Sequence, residues 1–89
     1  MQERNVTIVN KLGLHARAAA KLVTMASGYA SDIDIAKDDQ SVNGKSIMGV
    51  MMLAASKGTN LLIRTNGADE QEAADGLEKL VAEKFGEKE

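Results

Sequence analysis

The 89-residue sequence has no cysteine, no proline and no tryptophan, and it holds one histidine, one tyrosine and one phenylalanine. Lacking cysteine, it excludes disulfide frameworks, thiolate metal sites and cysteine nucleophiles, and suits a reducing compartment. Lacking proline, it has no proline-rich linker. With aromatics at 2%, its core must be built from aliphatic side chains. The longest apolar run, "VMMLAA" from Val50 to Ala55, is far short of the roughly 20 residues a membrane span needs. "MQERN" has none of the hydrophobic character of a secretory signal. A net charge of −2 argues against nucleic acid, which calls for a basic face. Neither internal repeats nor low-complexity segments occur. These absences lead us to expect one domain over residues 1–89, cytoplasmic, monomeric by default, not inserted in a membrane and without a cofactor.

What is present reads as alternating elements. "VTIV" (Val6 to Val9) predicts a first strand, with Val6 and Ile8 on one face. A helix is predicted from Ala16 to Ser27, with Gly28 as a left-handed residue past its end and Ala19, Leu22, Val23 and Ala26 as its buried stripe. "SDIDIAK" alternates with Ile33 and Ile35 inward. "DDQ" turns into a short strand at Ser41 to Asn43. Ser46 stands as the N-cap of a short helix starting near Ile47, and "NLLIRT" is a fourth strand. Asp69 followed by Glu72 has the spacing of a capping box for a last helix that buries Ala73, Leu77, Leu80 and Val81 and ends near Phe85 and Gly86. Gly76 within it costs about 1 kcal/mol against alanine. Residues 87–89 read as a frayed tail. The order β-α-β-β-α-β-α implies an α+β sandwich, with helices covering one face of a sheet.

The only imidazole, His15, falls at the start of the first helix, in "NKLGLHARAAAKL". One reading is a helix cap or partly buried polar residue. A metal site lacks ligands spaced for it, and a hydrolase triad lacks a nucleophile elbow. The position itself suggests more. N–H groups in a first helical turn have no intrahelical partner, and with the macrodipole they form an anion site. Arg17 is electrostatically unfavourable there unless an anion binds, and guanidinium suits bidentate phosphate contact. The helix end also favours the neutral, nucleophilic ring. Together these features suit an imidazole that accepts a phosphoryl group and releases it again.

"LGLHARAAAKLV", "VNGKSIMGVMMLAASKGT" and "NGADEQEA" resemble, in order and spacing, the HPr family, the histidine-containing phosphocarriers of the bacterial phosphoenolpyruvate:sugar phosphotransferase system. The resemblance implies an open-faced β-sandwich, with a four-stranded antiparallel sheet and three helices on one face. It further implies that His15 is the phosphoryl acceptor at Nδ1, that Arg17 pairs with the phosphate, that enzyme I is the donor and that enzyme IIA domains are the acceptors. Most family members have proline where this chain has Ala18, which can take the same φ and keeps a donor. The resemblance also makes Ser46 a candidate target of a serine kinase and phosphorylase, in addition to its capping role. Leu14, Ala20, Ile47, Met48 and Met51 are the expected apolar docking patch. Lys21, Lys45 and Lys57 read as solvated surface charges. Two alternatives remain. One is the nitrogen-branch paralogue of the family; the other is a regulatory module that has kept the fold and Ser46 but carries no phosphate. An enzyme is disfavoured, because no second general acid or base accompanies His15.

Overall fold

Period-two alternation in the strands puts one sheet face in the core and the other in solvent. In the computed structural model, which describes residues 1–89, the elements are β1 (Gln2–Thr7), α1 (Ala16–Ser27), β2 (Asp32–Lys37), β3 (Gln40–Asn43), α2 (Ile47–Met52), β4 (Asn60–Asn66) and α3 (Glu70–Ala82). A single 3₁₀ turn, Lys84–Gly86, follows. The strands lie in the order β1-β4-β2-β3, each pair antiparallel. Val6 pairs with Leu61, and Ile35 sits between Ile63 on β4 and Val42 on β3. The inward row is Val6, Ile33, Ile35, Leu61, Ile63 and Thr65, all buried. The three helices close over this row with Ala18, Ala19, Leu22, Ala26, Val50, Ala73, Leu77 and Val81. The outward face is polar and includes Asp32, Asp34 and an Arg64–Glu3 ion pair at 2.9 Å. The α+β architecture with helices on one face is therefore the one the sequence implies.

Several local expectations are corrected. β1 begins at Gln2 and ends at Thr7, so the polar "QERN" is strand as well. It is tolerated because β1 is an edge strand with a solvated outer face. Ile8, just beyond it, still donates to Thr59 O at 2.9 Å and is fully buried. Gly28 ends α1 in a right-handed conformation, φ −79°, its N–H donating to Met25 O at 3.0 Å, so no left-handed cap forms. Val23 is half-buried, and Ala18 joins the stripe in full. Asp69 precedes α3 without capping it. Its oxygens accept instead from Ala30 N at 2.8 Å and Ser31 N at 2.9 Å.

The last segment differs most from expectation. α3 stops at Ala82, and Lys84 and Phe85 take positive φ, 59° and 56°. Each left-handed residue with a Cβ costs about 1–2 kcal/mol, so the pair needs more than one compensating contact. Phe85 is fully buried, and burying such a ring returns about 1.5–3 kcal/mol. The turn is thus held by its aromatic anchor and by Lys21, whose Nζ donates to Phe85 O at 2.7 Å. Residues 87–89, expected to fray, come back onto the Asn10–His15 turn, where Lys11 N donates to Glu89 O at 2.6 Å.

Candidate functional site

The site is built at the turn between β1 and α1. Gly13 has φ +68°, a conformation open to glycine. A Cβ there would lie 2.7 Å from Ala55 O and 2.9 Å from Ser56 Cα. This close approach lets Leu14 N donate to Ala55 O at 2.8 Å, fixing the residue just before the histidine. His15 is then the N-cap of α1 in extended conformation, φ −74° and ψ 176°, with its C=O accepting from Ala19 N at 2.8 Å. The N–H groups of Ala16, Arg17 and Ala18 donate to no protein acceptor, and the first turn contains no acidic residue. That combination leaves positive potential unbalanced at the helix start.

The His15 side chain is one-quarter exposed. Its ring contacts the Glu87 carboxylate through Nε2, while Nδ1 has no protein partner and is not a buried atom. Glu87 is held on two sides: Oε2 meets His15, and Oε1 accepts from Asn10 Nδ2 at 2.9 Å. Asn10 is fully buried and also donates to Gly13 O at 2.8 Å. The Asn10 amide, and then the His15 ring, hold the Glu87 carboxyl below the usual carboxylate range. Arg17 is exposed and makes no side-chain hydrogen bond or ion pair. It lines an open cleft of about 400 Å³ with Lys11, Leu12, Glu87, Lys88 and Glu89. An unpaired guanidinium, unpaired amide donors and a ring nitrogen without a protein partner thus lie at one helix end. Chemically, that arrangement can hold the oxygens of a phosphoryl group with its donors while its phosphorus faces the ring nitrogen.

Ser46 is the N-cap of α2, its Oγ accepting from Gly49 N at 3.1 Å. Of the expected docking residues, Ala20, Ile47, Met48 and Met51 are exposed, Met48 the most of the α2 side chains among them at 70%. Leu14 is corrected: at 6% exposed it belongs to the core, because the Leu14–Ala55 bond turns it inward. Two apolar side chains missed in the sequence, Leu12 and Met52, are exposed at 69% and 67%. Of the three lysines, Lys21 and Lys45 serve backbone carbonyls, Lys45 Nζ reaching Tyr29 O at 2.8 Å. Asn10 and Glu87 were also missed. The only sequence signal for Asn10 was a polar residue directly after a strand of apolar character, and Glu87 gave none.

No helix is long and apolar enough to cross a membrane. The family model for the phosphotransferase system HPr component phosphorylation site matches residues 2–83. The phosphocarrier protein HPr of Cupriavidus necator is 52% identical over 98% of each chain. The phosphocarrier protein NPr of Shewanella violacea is 41% identical over 96% of this chain and 93% of its own. Among solved structures, HPr-C-His from Thermoanaerobacter tengcongensis superposes with a TM-score of 0.96 at 46% identity, covering 100% of both chains. The histidine-bearing helix start, the sheet order and these likenesses converge on one conclusion: the chain belongs to the HPr family, the phosphocarriers of the phosphotransferase system, and relays a phosphoryl group rather than acting as an enzyme.

Proposed function

We propose that His15 is the residue that carries the phosphoryl group, bonded at Nδ1, and that Arg17 and the first-turn amides of α1 neutralise it. The observation that carries this is the division of labour on one ring: Nε2 is engaged by Glu87 while Nδ1 is unpartnered at a helix start. In the forward step the Nδ1 lone pair attacks phosphorus. A P–N bond forms, and the bond from phosphorus to the donor's leaving atom breaks, its electron pair returning to the donor. The three phosphoryl oxygens gain the amide and guanidinium donors, which suit a transfer whose charge resides on those oxygens.

Phosphorylated enzyme I is the donor and enzyme IIA domains are the acceptors, in the cytoplasm, as the family resemblance implies. They dock on the exposed apolar side chains of α2 together with Ala20 on α1, since α1 and α2 pack against each other. Identity of 52% to an HPr against 41% to an NPr favours the sugar branch over the nitrogen-branch paralogue. A phosphate on Ser46 would bring about −1.5 to −2 charges to the end of α2 that carries Ile47 and Met48, weakening that docking.

The test is incubation with phosphoenolpyruvate, magnesium and enzyme I, followed by intact-mass measurement. One acid-labile phosphoryl adduct is expected on the wild type and none on His15→Ala. An adduct of equal yield on His15→Ala would overturn the assignment.

A further inference from the structure

We infer that Glu87 is a positioning residue for phosphoryl transfer: its carboxylate holds the His15 ring as the Nε2–H tautomer, so that Nδ1 presents its lone pair. The inference rests on the assignment of His15 as acceptor and adds to it the group that prepares the ring.

A neutral imidazole carries one proton, and the nitrogen that holds it cannot attack. A carboxylate has only acceptor sites, so a carboxylate facing Nε2 requires the proton there. The contact is specified at both ends. Glu87 Oε1 is occupied by Asn10 Nδ2 at 2.9 Å, leaving Oε2 for the ring. Asn10 is in turn fixed by its bond to Gly13 O, within the same turn that delivers His15. The carboxylate reaches the ring because Phe85, fully buried, anchors the chain two residues earlier in a left-handed turn, with Lys21 holding Phe85 O. Glu87 has only 16% of its side chain exposed, and the depressed titration of its carboxyl keeps it ionised at neutral pH.

The same contact acts along the reaction. As the Nδ1 lone pair forms the bond to phosphorus, the ring gains a positive charge while its proton stays on Nε2. The Nε2–H to carboxylate bond then becomes charge-assisted on both sides and strengthens. The donor takes back its electron pair, and no proton leaves the ring. On transfer to the acceptor the steps reverse, and the ring returns to the neutral Nε2–H form. Carboxylates that orient a metal-ligating histidine typically change affinity or activity by 10–100-fold, and the same orienting contact on His15 sets the scale expected here.

The test uses the full chain uniformly labelled with ¹⁵N, in wild type, Glu87→Ala, Glu87→Gln and Glu72→Ala forms. Imidazole ¹⁵N shifts are recorded in alkaline buffer, where an unperturbed ring is neutral, and initial phosphorylation rates are measured against enzyme I concentration. The wild type is expected to show the Nε2–H tautomer with a solvent-protected ring proton. Glu87→Ala should lose the protection, gain the Nδ1–H tautomer and accept phosphate about tenfold more slowly at saturating donor, with an unchanged half-saturating enzyme I concentration. Glu87→Gln, which keeps an acceptor oxygen, should fall between, and Glu72→Ala, an exposed acid on α3 away from the site, should match the wild type. Unfolding curves separate these effects from loss of structure. An unchanged tautomer ratio in Glu87→Ala, or a changed ratio with an unchanged rate, would overturn the inference. So would a rate loss arising only from a raised half-saturating concentration, which would make the segment a docking element. An adduct retained in His15→Ala would overturn the acceptor assignment and with it any role of Glu87 in transfer, even where the tautomer ratio shifts as expected.

Discussion

Asp69 and Ser31 tie the start of α3 to the start of β2: Oδ1 of Asp69 accepts both the backbone N–H of Ser31 at 2.9 Å and its hydroxyl at 2.5 Å. Oδ2 accepts from Ala30 N at 2.8 Å. With so many donors on the charged form, the Ser31 hydroxyl foremost, the Asp69 carboxyl lies below the ordinary aspartate range. A carboxyl more acidic in the folded state contributes stability that is present in full above its unfolded pKa. That stability is lost as pH falls through the lowered folded value. Asp69→Ala should therefore have a lower Tm than wild type near neutral pH, and the gap should close as the solution is taken below the aspartate range. Thermal unfolding of both proteins across that pH series checks it; a gap independent of pH would assign the effect to something other than the ionised carboxylate.

Gly76 is the position where helix propensity and packing conflict. A Cβ on Gly76 would overlap the Tyr29 hydroxyl and press on the ring. Gly76→Ala alone should therefore fail to deliver the usual gain of about 1 kcal/mol. In the Tyr29→Phe background, where the hydroxyl is gone, the same substitution should recover most of it. Denaturant unfolding of the double-mutant cycle reads the coupling directly, and additive effects would contradict the packing argument.

Arg17 should separate function from stability. It sits in the first turn of α1 without a partner, where a cation is unfavourable by about 0.3–1 kcal/mol. Arg17→Ala should leave stability level or slightly raised and slow phosphoryl transfer in both directions. Arg17→Lys should keep the charge but lose bidentate geometry, falling between. Transfer rates for Arg17→Ala equal to wild type would remove the guanidinium from the site.

At Ser46, capping and regulation can be told apart. Ser46→Ala removes the bond to Gly49 N and should cost about 1 kcal/mol, with near-normal phosphoryl acceptance. Ser46→Asp keeps an acceptor and adds charge favourable to the helix end. It should stay folded while accepting phosphate more slowly from enzyme I. Initial rates with unfolding curves for each variant decide it, and an aspartate variant as fast as wild type would leave Ser46 as a cap alone.

The legible parts of this molecule were those written in local pattern. The alternation of Ile33 and Ile35, the stripe of α1 and the serine before "IMGVMM" each state their element within a few residues, and the structure follows them. What was hidden depends on partners distant in sequence. Asp69 has the spacing of a cap, but donors at Ala30 and Ser31, 38 or 39 positions away, claim its oxygens. Leu14 looks like a surface residue beside the histidine until its N–H is seen bonded to Ala55. "GEKE" has the composition of a frayed end, and only burial of the lone phenylalanine brings Glu87 back to the ring. His15 and Arg17 stood out because their chemistry is local to a helix start. Glu87 contributes from 72 residues away, and no periodicity marks it.

Because the chain has a single imidazole, the site can be read from one spectrum. Protein labelled with ¹⁵N in the histidine ring, phosphorylated through enzyme I, should show one phosphorus resonance coupled to Nδ1, with the proton remaining on Nε2. Phosphorus coupled to Nε2, the nitrogen that faces Glu87, or coupled to no ring nitrogen at all, would contradict the assignment of His15 Nδ1 as the phosphoryl carrier.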